Sequence, residues 1–367
     1  MINPQSLILA FKNSGINYFT GVPDSILDGF IKSLNNKKFK CIHRVAANEG
    51  GAIGLAIGYS ISTKKIPVVY MQNSGLGNAI NPLVSIVDKK VYGIPMILLI
   101  GSRGGFNVPD ELQHCKMGPI TLKTLKTLGI KYKVLNKYKI YDQIKYAKKF
   151  TTKYNQPFAI VVKPKSISKS LDVKTQARAN LKFKRIDFIQ TLLQNINTNF
   201  RIISTTGYTS RELDYLQKKR GKRKSKSFFC IGAMGHANQI ATEIALQDKN
   251  KKIIVLDGDG ALLMHLGNLS VVRRLKPKNL LHILFNNSIH ESTGSHQLPE
   301  NDINYGLVFK NFGYKSVINI TNPLTLKKIL KKKLAGPAAL IISIKPGTIN
   351  NLPRPKREDL LSFKKNF

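Results

Sequence analysis

The sequence predicts an α/β fold made of two doubly wound parallel-sheet domains in tandem. Three observations predict it. Short apolar runs with the length of buried strands recur along the chain, and stretches with helical spacing of apolar residues separate them. Several strands also end on glycine, aspartate or asparagine, at what would be the carboxyl edge of a sheet, where open α/β folds bind ligands. Repeated strand–helix alternation of this kind argues for parallel strands covered by helices on both faces.

In the first half, Pro4 to Asn13 has the look of an amphipathic helix and Tyr18-Phe19-Thr20-Gly21-Val22 that of a strand ending at Pro23. Ser25 to Leu34 reads as a second helix, which Asp24 would cap. Cys41 to Ala47 is a strand that delivers Asn48 and Glu49 to the head of a helix. That helix, Gly50 to Tyr59, is rich in small residues, and each interior glycine costs up to ~1 kcal/mol relative to alanine. Tight packing at a subunit interface is expected to offset that cost. Val68 to Met71 and Met96 to Ile100 read as strands on either side of the glycine-punctuated loop Gln72 to Asn78, and Phe158 to Val162 closes this half.

A polar, basic, non-periodic segment places a linker at 166–184, between a first domain at 1–165 and a second at 185–367. The second half repeats the logic. A strand at Phe200 to Ser204 runs into Thr205-Thr206-Gly207-Tyr208, and Phe228-Phe229-Cys230 runs into Ile231 to Ala237 and then a helix. Next, the strand Lys251 to Asp257 enters Gly258-Asp259-Gly260 and an apolar stretch with helical spacing, Leu262, Leu263, Leu266, Leu269 and Val272. Leu280 to Phe285 is a further buried strand that ends on Asn286-Asn287. The last strand, Ala338 to Ile344, precedes a basic tail.

Composition bounds the partners. With 367 residues, 42% of them hydrophobic, the chain can bury two cores of roughly 150–180 residues each. No apolar run approaches the ~20 residues needed to span a bilayer, the start has no secretion-signal pattern, and the three scattered cysteines, Cys41, Cys115 and Cys230, match no metal spacing. The expectation is a cytoplasmic protein with reduced thiols and no membrane partner. The net charge of +39 would fit a nucleic-acid binder. The excess is mostly lysine spread through 123–149, 163–185 and 327–333, with no reading motif, so no specific nucleic acid is assigned. The denser run Lys218 to Lys226 reads as a solvated loop, with an anion-binding patch as the other reading.

The chemistry is carried by Gly258-Asp259-Gly260 and the later Asn286-Asn287. Taken alone, Gly-Asp-Gly is a strand–turn–helix with a turn glycine. With paired asparagines ending the next strand, a carboxylate and a side-chain amide sit at one sheet edge, a hard oxygen set suited to Mg²⁺ holding a diphosphate, while the glycines let backbone approach the phosphates. This pattern resembles the thiamine diphosphate (ThDP) enzymes. Val45-Ala46-Ala47-Asn48-Glu49-Gly50-Gly51-Ala52 is similar to the setting of that family's helix-start glutamate, which hydrogen-bonds the cofactor's aminopyrimidine ring nitrogen and so activates the thiazolium carbon. Without the resemblance, Glu49 is a carboxylate stabilising a helix N-terminus by ~0.3–1 kcal/mol. Gly232-Ala233-Met234-Gly235 resembles the segment that shapes the cofactor, with the Gly232 carbonyl receiving the pyrimidine amino group and Met234 wedged under the rings.

The resemblance implies that Asp259, Asn287 and the backbone carbonyl of Ile289 are Mg²⁺ ligands, and that Thr206, Gly207, Gly232, Met234, Gly258, Gly260 and Ala261 bind ThDP. Size leaves no room for the central domain of the longer members. Gly21-Val22-Pro23-Asp24-Ser25, Met71-Gln72-Asn73-Ser74-Gly75-Leu76-Gly77-Asn78 and Met234-Gly235-His236-Ala237 look like the short decarboxylases that act on phosphonopyruvate or its sulfonate analogue, with Ser295-His296 where a glycine would be expected. The implied activity is decarboxylation of a small anionic 2-oxo acid. Glu49, His114 and His290 are the catalytic candidates, and Asp24, Asn73, Ser74, Arg103, Lys116 and His296 the substrate candidates. A small ThDP carboligase is the other enzymatic reading, and a basic nucleic-acid-binding protein the non-enzymatic one. In this family the active centre joins two subunits, which implies a homodimer or higher homo-oligomer.

Overall fold

The computed structural model describes residues 1–169, 180–220 and 226–366. Met1–Thr175 with Thr293–Pro299 form one compact unit, and Gln176–Ser292 with Glu300–Phe367 a second. Of the expected linker, 170–179 lie outside the described residues, as do 221–225 of the basic run.

The first unit is built on β1 (Tyr18–Gly21), β2 (Ile42–Val45), β3 (Val68–Gln72), β4 (Ile97–Gly101), β5 (Lys131–Val134) and β6 (Phe158–Val162), all parallel, in the order β2-β1-β3-β4-β6-β5. The unbroken apolar run of β3 has a direct cause. Val68 and Tyr70 join a core with Phe11, Phe19, Phe30 and Phe158 on one face, whereas Val69 and Met71 join Ala52, Ile53, Ala56 and Leu98 on the other. A strand covered on both faces has no polar side. Phe11, Phe19 and Phe30 meet at ring-centroid distances of 5.5, 6.1 and 5.7 Å, in the edge-on and tilted packings that aromatic quadrupoles favour.

Two local features differ from expectation. Sequence reading assigned no strand at β5, which lies at the sheet edge with Lys131 and Tyr132 exposed. Such a strand carries no apolar run, and lysines there discourage pairing with another chain. The second helix begins at Asp28, not Ser25. Asp24 closes the turn ahead of it, its Oδ1 accepting the N–H of Ile26 at 2.9 Å and of Leu27 at 3.1 Å. The small-residue helix spans Glu49–Thr63 and buries Ala52, Ile53, Ala56 and Ser60, yet a Cβ on Gly54 or Gly58 would meet nothing within 4 Å. The packing expected at these glycines is with a second subunit, and among the described residues of this chain nothing covers them.

The second unit contains β7 (Phe200–Ser204), β8 (Lys226–Phe229), β9 (Lys252–Gly258), β10 (Leu280–Asn286), the short β11 (Ile289–His290), β13 (Ser316–Ile320) and β14 (Ala338–Ser343); the short β12 (His296–Gln297) belongs to the first unit. Its parallel sheet has the order β13-β14-β10-β9-β7-β8. Ile254 and Leu256 face a core with Phe188, Leu213 and Leu340, and Ile253 and Val255 face the opposite core with Ala241, Leu269 and Phe309. The edge strand β13, half exposed, was likewise not expected from the sequence. Among the described residues no helix is long and apolar enough to cross a membrane.

One close approach fixes the loop after β4. A Cβ on Gly118, near the start of the helix Met117–Thr127, would lie 1.8 Å from the Gly104 carbonyl oxygen, so helix and loop meet backbone to backbone. Gly118→Ala is expected to lower the thermal unfolding midpoint of the protein by the equivalent of ~1–3 kcal/mol or more. A melting curve matching that of the parent would contradict the contact.

Candidate active site

In the second unit, β9 and β10 are adjacent and parallel, with Asp257 opposite Leu284 and Gly258 opposite Phe285. This register carries both chains off the sheet at the same edge and brings Asp259 against the Asn287 loop. The Asp259 carboxylate, 3% exposed, accepts three backbone N–H groups: Gly260 at 2.8 Å on Oδ1, and Asn287 at 2.9 Å and Ser288 at 2.6 Å on Oδ2. These three bonds fix the carboxylate's orientation at the ends of β9 and β10. Asn287, equally buried, accepts the Ile289 N–H at 3.1 Å on Oδ1 and donates Nδ2 to Glu291 Oε2 at 3.3 Å.

These groups line a cleft that also takes in Thr206, Tyr208, Met234, Gly258, Gly260, Ala261, Ile289 and His290. β7 lies beside β9, and the Thr205 N–H donates to the Leu256 carbonyl at 2.8 Å, which carries the 205–207 turn to the same edge. Thr206 Oγ1 donates to the Ile231 carbonyl at 2.9 Å and ties that turn to the segment leading to Met234. Gly207, at φ +89°, adopts a backbone conformation that suits glycine, and a Cβ there would stand 3.1 Å from Ser292 Oγ. Gly232 is not on the cleft wall. It precedes Met234 by two residues in the bend after β8.

The donors suit a hard cation: one carboxylate, one amide oxygen and nearby backbone carbonyls. A Cβ on Gly258, which lines the cleft, would meet nothing within 4 Å among the described residues, so the backbone there borders open space. Both properties fit a metal-bound diphosphate.

In the first unit, Asn48 caps the helix Glu49–Thr63 by accepting the Gly51 N–H at 2.8 Å, which fixes Glu49 as the first helical residue. The Glu49 carboxylate is 5% exposed and takes Asn78 Nδ2 at 2.7 Å on Oε2. Gly75 lies against its other oxygen, and a Cβ there would be 2.3 Å from Oε1. Only glycine leaves room for the carboxylate.

The remaining candidates of this unit do not form an open anion site. Arg103 donates Nε to Asp110 Oδ2 at 2.7 Å, Nη2 to Asp110 Oδ1 and to Glu111 Oε1, and Nη1 to Ser25 Oγ at 3.1 Å. Its hydrogen bond to Asp110 raises the guanidinium above its ordinary range. Burial opposes but does not cancel the drop this pair imposes on the Asp110 carboxyl. The charge expected to greet a substrate is already answered. Asn73 spends its amide on the 103 loop, taking the Arg103 N–H at 3.0 Å and donating Nδ2 to the Arg103 carbonyl at 2.9 Å and to Thr121 Oγ1 at 2.8 Å. His114 is buried beside Asp110 and Glu111, Ser74 and Lys116 are exposed, and His296 Nε2 meets Asp28 Oδ1 at 2.9 Å.

Sequence reasoning did not assign roles to Arg185, Glu212, Glu291 and Tyr208. Arg185, 5% exposed, pairs with Glu212 through Nε at 2.9 Å and with Glu291 through Nη1 at 2.9 Å. The signal available was arginine in place of lysine in a lysine-rich chain, because a buried fork of N–H donors needs a guanidinium.

Asp24 yields a pH test. It is fully buried, Oδ2 has no hydrogen-bond partner among the described residues, and burial raises its pKa from the ordinary carboxylate value to about 6. The unfolded chain therefore releases this proton first. The native state keeps its advantage below about pH 4 and loses it as pH climbs to about 6. Asp24→Asn removes the titration, so its stability relative to the parent is expected to rise by up to ~3 kcal/mol between about pH 3.5 and 7.5. Parallel denaturant curves for the two proteins across that range would refute the burial effect.

Comparison with known proteins agrees with both halves of this geometry. Residues 4–116 match the family model described as thiamine pyrophosphate enzyme, N-terminal TPP binding domain, and residues 206–344 match its C-terminal TPP binding domain. The chain is 27% identical over 375 residues to phosphonopyruvate decarboxylase of Streptomyces viridochromogenes, covering 97% of this chain and 92% of that one. It is 33% identical over 159 residues to the alpha subunit of sulfopyruvate decarboxylase of Methanococcus maripaludis, covering 43% of this chain and 92% of the subunit. It is 32% identical over 146 residues to the beta subunit of that enzyme from Methanothermobacter thermautotrophicus, covering 40% of this chain and 74% of the subunit. With its two parallel-sheet units and these two matches, the chain belongs to the thiamine pyrophosphate enzyme family, as a ThDP-dependent decarboxylase.

Proposed function

We propose that this protein catalyses the ThDP- and Mg²⁺-dependent, non-oxidative decarboxylation of 3-phosphonopyruvate to phosphonoacetaldehyde and CO₂, a step of phosphonate biosynthesis. The observation that carries the metal and cofactor part is the Asp259 carboxylate, fixed by three N–H donors beside a glycine-walled cleft. Likeness to a phosphonopyruvate decarboxylase over 97% of the chain supports the substrate.

In this reading Asp259, Asn287 Oδ1 and the Ile289 carbonyl would hold Mg²⁺, and Thr206, Gly207, Gly258, Gly260 and Ala261 would admit the diphosphate. Gly232 would accept the pyrimidine amino group at its carbonyl, and Met234 would support the rings. Glu49, with Asn78 on Oε2, would use its other oxygen to hydrogen-bond the pyrimidine ring nitrogen. ThDP, when bound, supplies the electron sink for the pair released as CO₂ departs. His114 and His290 are the groups assigned to proton transfer. Because Arg103 is already paired, the substrate anion is left to Lys116 and Ser74, both exposed, with Asp24 and Asn73 shaping the loops behind them.

The domains of this reading are a pyrimidine-binding half at 1–165 and a diphosphate-binding half at 185–367. The unfilled space over Gly54 and Gly58, with Leu55 and Ile61 exposed beside them, supports a homodimer or higher homo-oligomer. Sedimentation at assay concentration is expected to show at least a dimer, and a fully active monomer would refute this.

A second reading, decarboxylation of sulfopyruvate, is favoured by the higher identity to the sulfopyruvate decarboxylase subunits. Assay of both acids with ThDP and Mg²⁺ decides between them. Phosphonopyruvate is expected to lead by at least ~10-fold in kcat/KM, and the reverse order would assign the sulfonate. Glu49→Ala is expected to lower kcat at least ~100-fold with little change in Mg²⁺ affinity, and Gly75→Ala, which displaces the same carboxylate, to act in parallel. Retained turnover in Glu49→Ala would remove the proposed role.

A further inference from the structure

Behind the cleft, charged side chains of the second unit form one continuous hydrogen-bonded chain. Fully buried Glu212 accepts from Arg185 Nε at 2.9 Å and Nη2 at 3.2 Å. Arg185 donates Nη1 to Glu291 Oε2 at 2.9 Å, and the same oxygen accepts Asn287 Nδ2 at 3.3 Å. Two residues near the C-terminus tie the glutamates down: the Gly347 N–H donates to Glu291 Oε1, and Thr348 Oγ1 donates to Glu212 Oε1 at 2.6 Å. Burying three ions is expensive even when they are paired, and apolar residues fill such space at least as stably. Stability alone does not account for the arrangement.

Its geometry acts on Asn287. An amide presents an acceptor oxygen and a donor nitrogen of nearly the same shape, and half a turn about its last bond exchanges them. A carboxylate only accepts. Glu291 Oε2 therefore admits Nδ2 and repels Oδ1, which leaves the amide oxygen on the opposite side, where it takes the Ile289 N–H at 3.1 Å. Arg185 keeps Glu291 in this role by pairing with it and offsetting its charge, and Glu212 in turn fixes the guanidinium plane.

We propose that Glu291 is a positioning residue for the divalent cation: it sets the Asn287 amide so that oxygen, not nitrogen, faces the metal, with Arg185 and Glu212 as its support. The inference rests on the reading of Asn287 as a cation ligand. Outer partners of metal ligands are typically worth ~10–100-fold in metal affinity.

The test titrates the full chain, with ThDP present, with Mn²⁺ as the probe, reading the free-ion electron paramagnetic resonance signal. Glu291→Met is expected to raise the Mn²⁺ Kd by ~10–100-fold, and Glu291→Gln, whose side-chain oxygen still accepts from Asn287, by less than ~10-fold. Asn287→Asp sets two carboxylates against each other and is expected to weaken Mn²⁺ binding. Adding Glu291→Gln to it gives the new carboxylate an N–H donor and is expected to recover at least ~10-fold. A merely structural role would shift melting temperatures without that recovery.

Should Glu291→Met fail to fold, the comparison of N287D with N287D/E291Q decides alone, and simple additivity of the two changes overturns the proposal. A folded Glu291→Met with Mn²⁺ affinity within about twofold of the parent also overturns it. Asp259→Asn and Asn287→Ala separate the two levels of inference. If both lose Mn²⁺ while Glu291→Met does not, only the positioning role fails. If both bind Mn²⁺ as the parent does, the ligand reading fails and the positioning role with it.

Discussion

The second unit depends on one buried carboxylate. Asp259 gathers N–H groups from its own turn and from the loop that leaves the neighbouring strand, and so joins the ends of β9 and β10 after the sheet's own ladder has stopped. Without it, each of those donors would be buried without an acceptor, and unpaired buried polar groups cost ~1–3 kcal/mol apiece. The same bonds that stabilise the loop hold the carboxylate at the wall of the cleft. Local folding and the proposed cation site therefore share one side chain.

The contrast between bulk and buried charge is equally physical. The +39 excess is mostly lysine, whereas Arg185, buried in the second unit, lies between two glutamates. A lysine head is a compact, strongly hydrated point charge, and a guanidinium is a planar fork that satisfies two carboxylates at once. Arg103 makes the same use of its shape with Asp110 and Glu111 in the first unit. Both arginines hold loops in place.

Much of this fold was legible because burial on two faces leaves a blunt mark. β6 and β7 match the apolar runs residue for residue, and the helix Pro4–Asn13 has the bounds its spacing suggests. β5 and β13 were not legible, since a half-exposed edge strand needs no apolar run. Glycine and aspartate at 258–260 and the asparagine pair could be read as one site because the chemistry sits in the residues themselves. Residues 103, 185 and 291 could not be read in this way. Whether an arginine greets a ligand or a carboxylate depends on partners distant in sequence, and the Arg185 bond to Glu291 spans more than a hundred residues.

The composition of the first unit bears on the order of events during synthesis. Thr293–Pro299, including His296 with its 2.9 Å contact to Asp28, belongs to a unit whose other residues end at Thr175. Burial alone would raise the Asp28 carboxyl, and its hydrogen bonds to His296 and Lys32 bring it below the ordinary value instead. A ribosome adding ~5–20 residues per second delivers that histidine on the order of 10 s after Thr175. Until then the nascent first unit carries an aspartate without one of its two partners, and the unit closes only when most of the chain has left the ribosome.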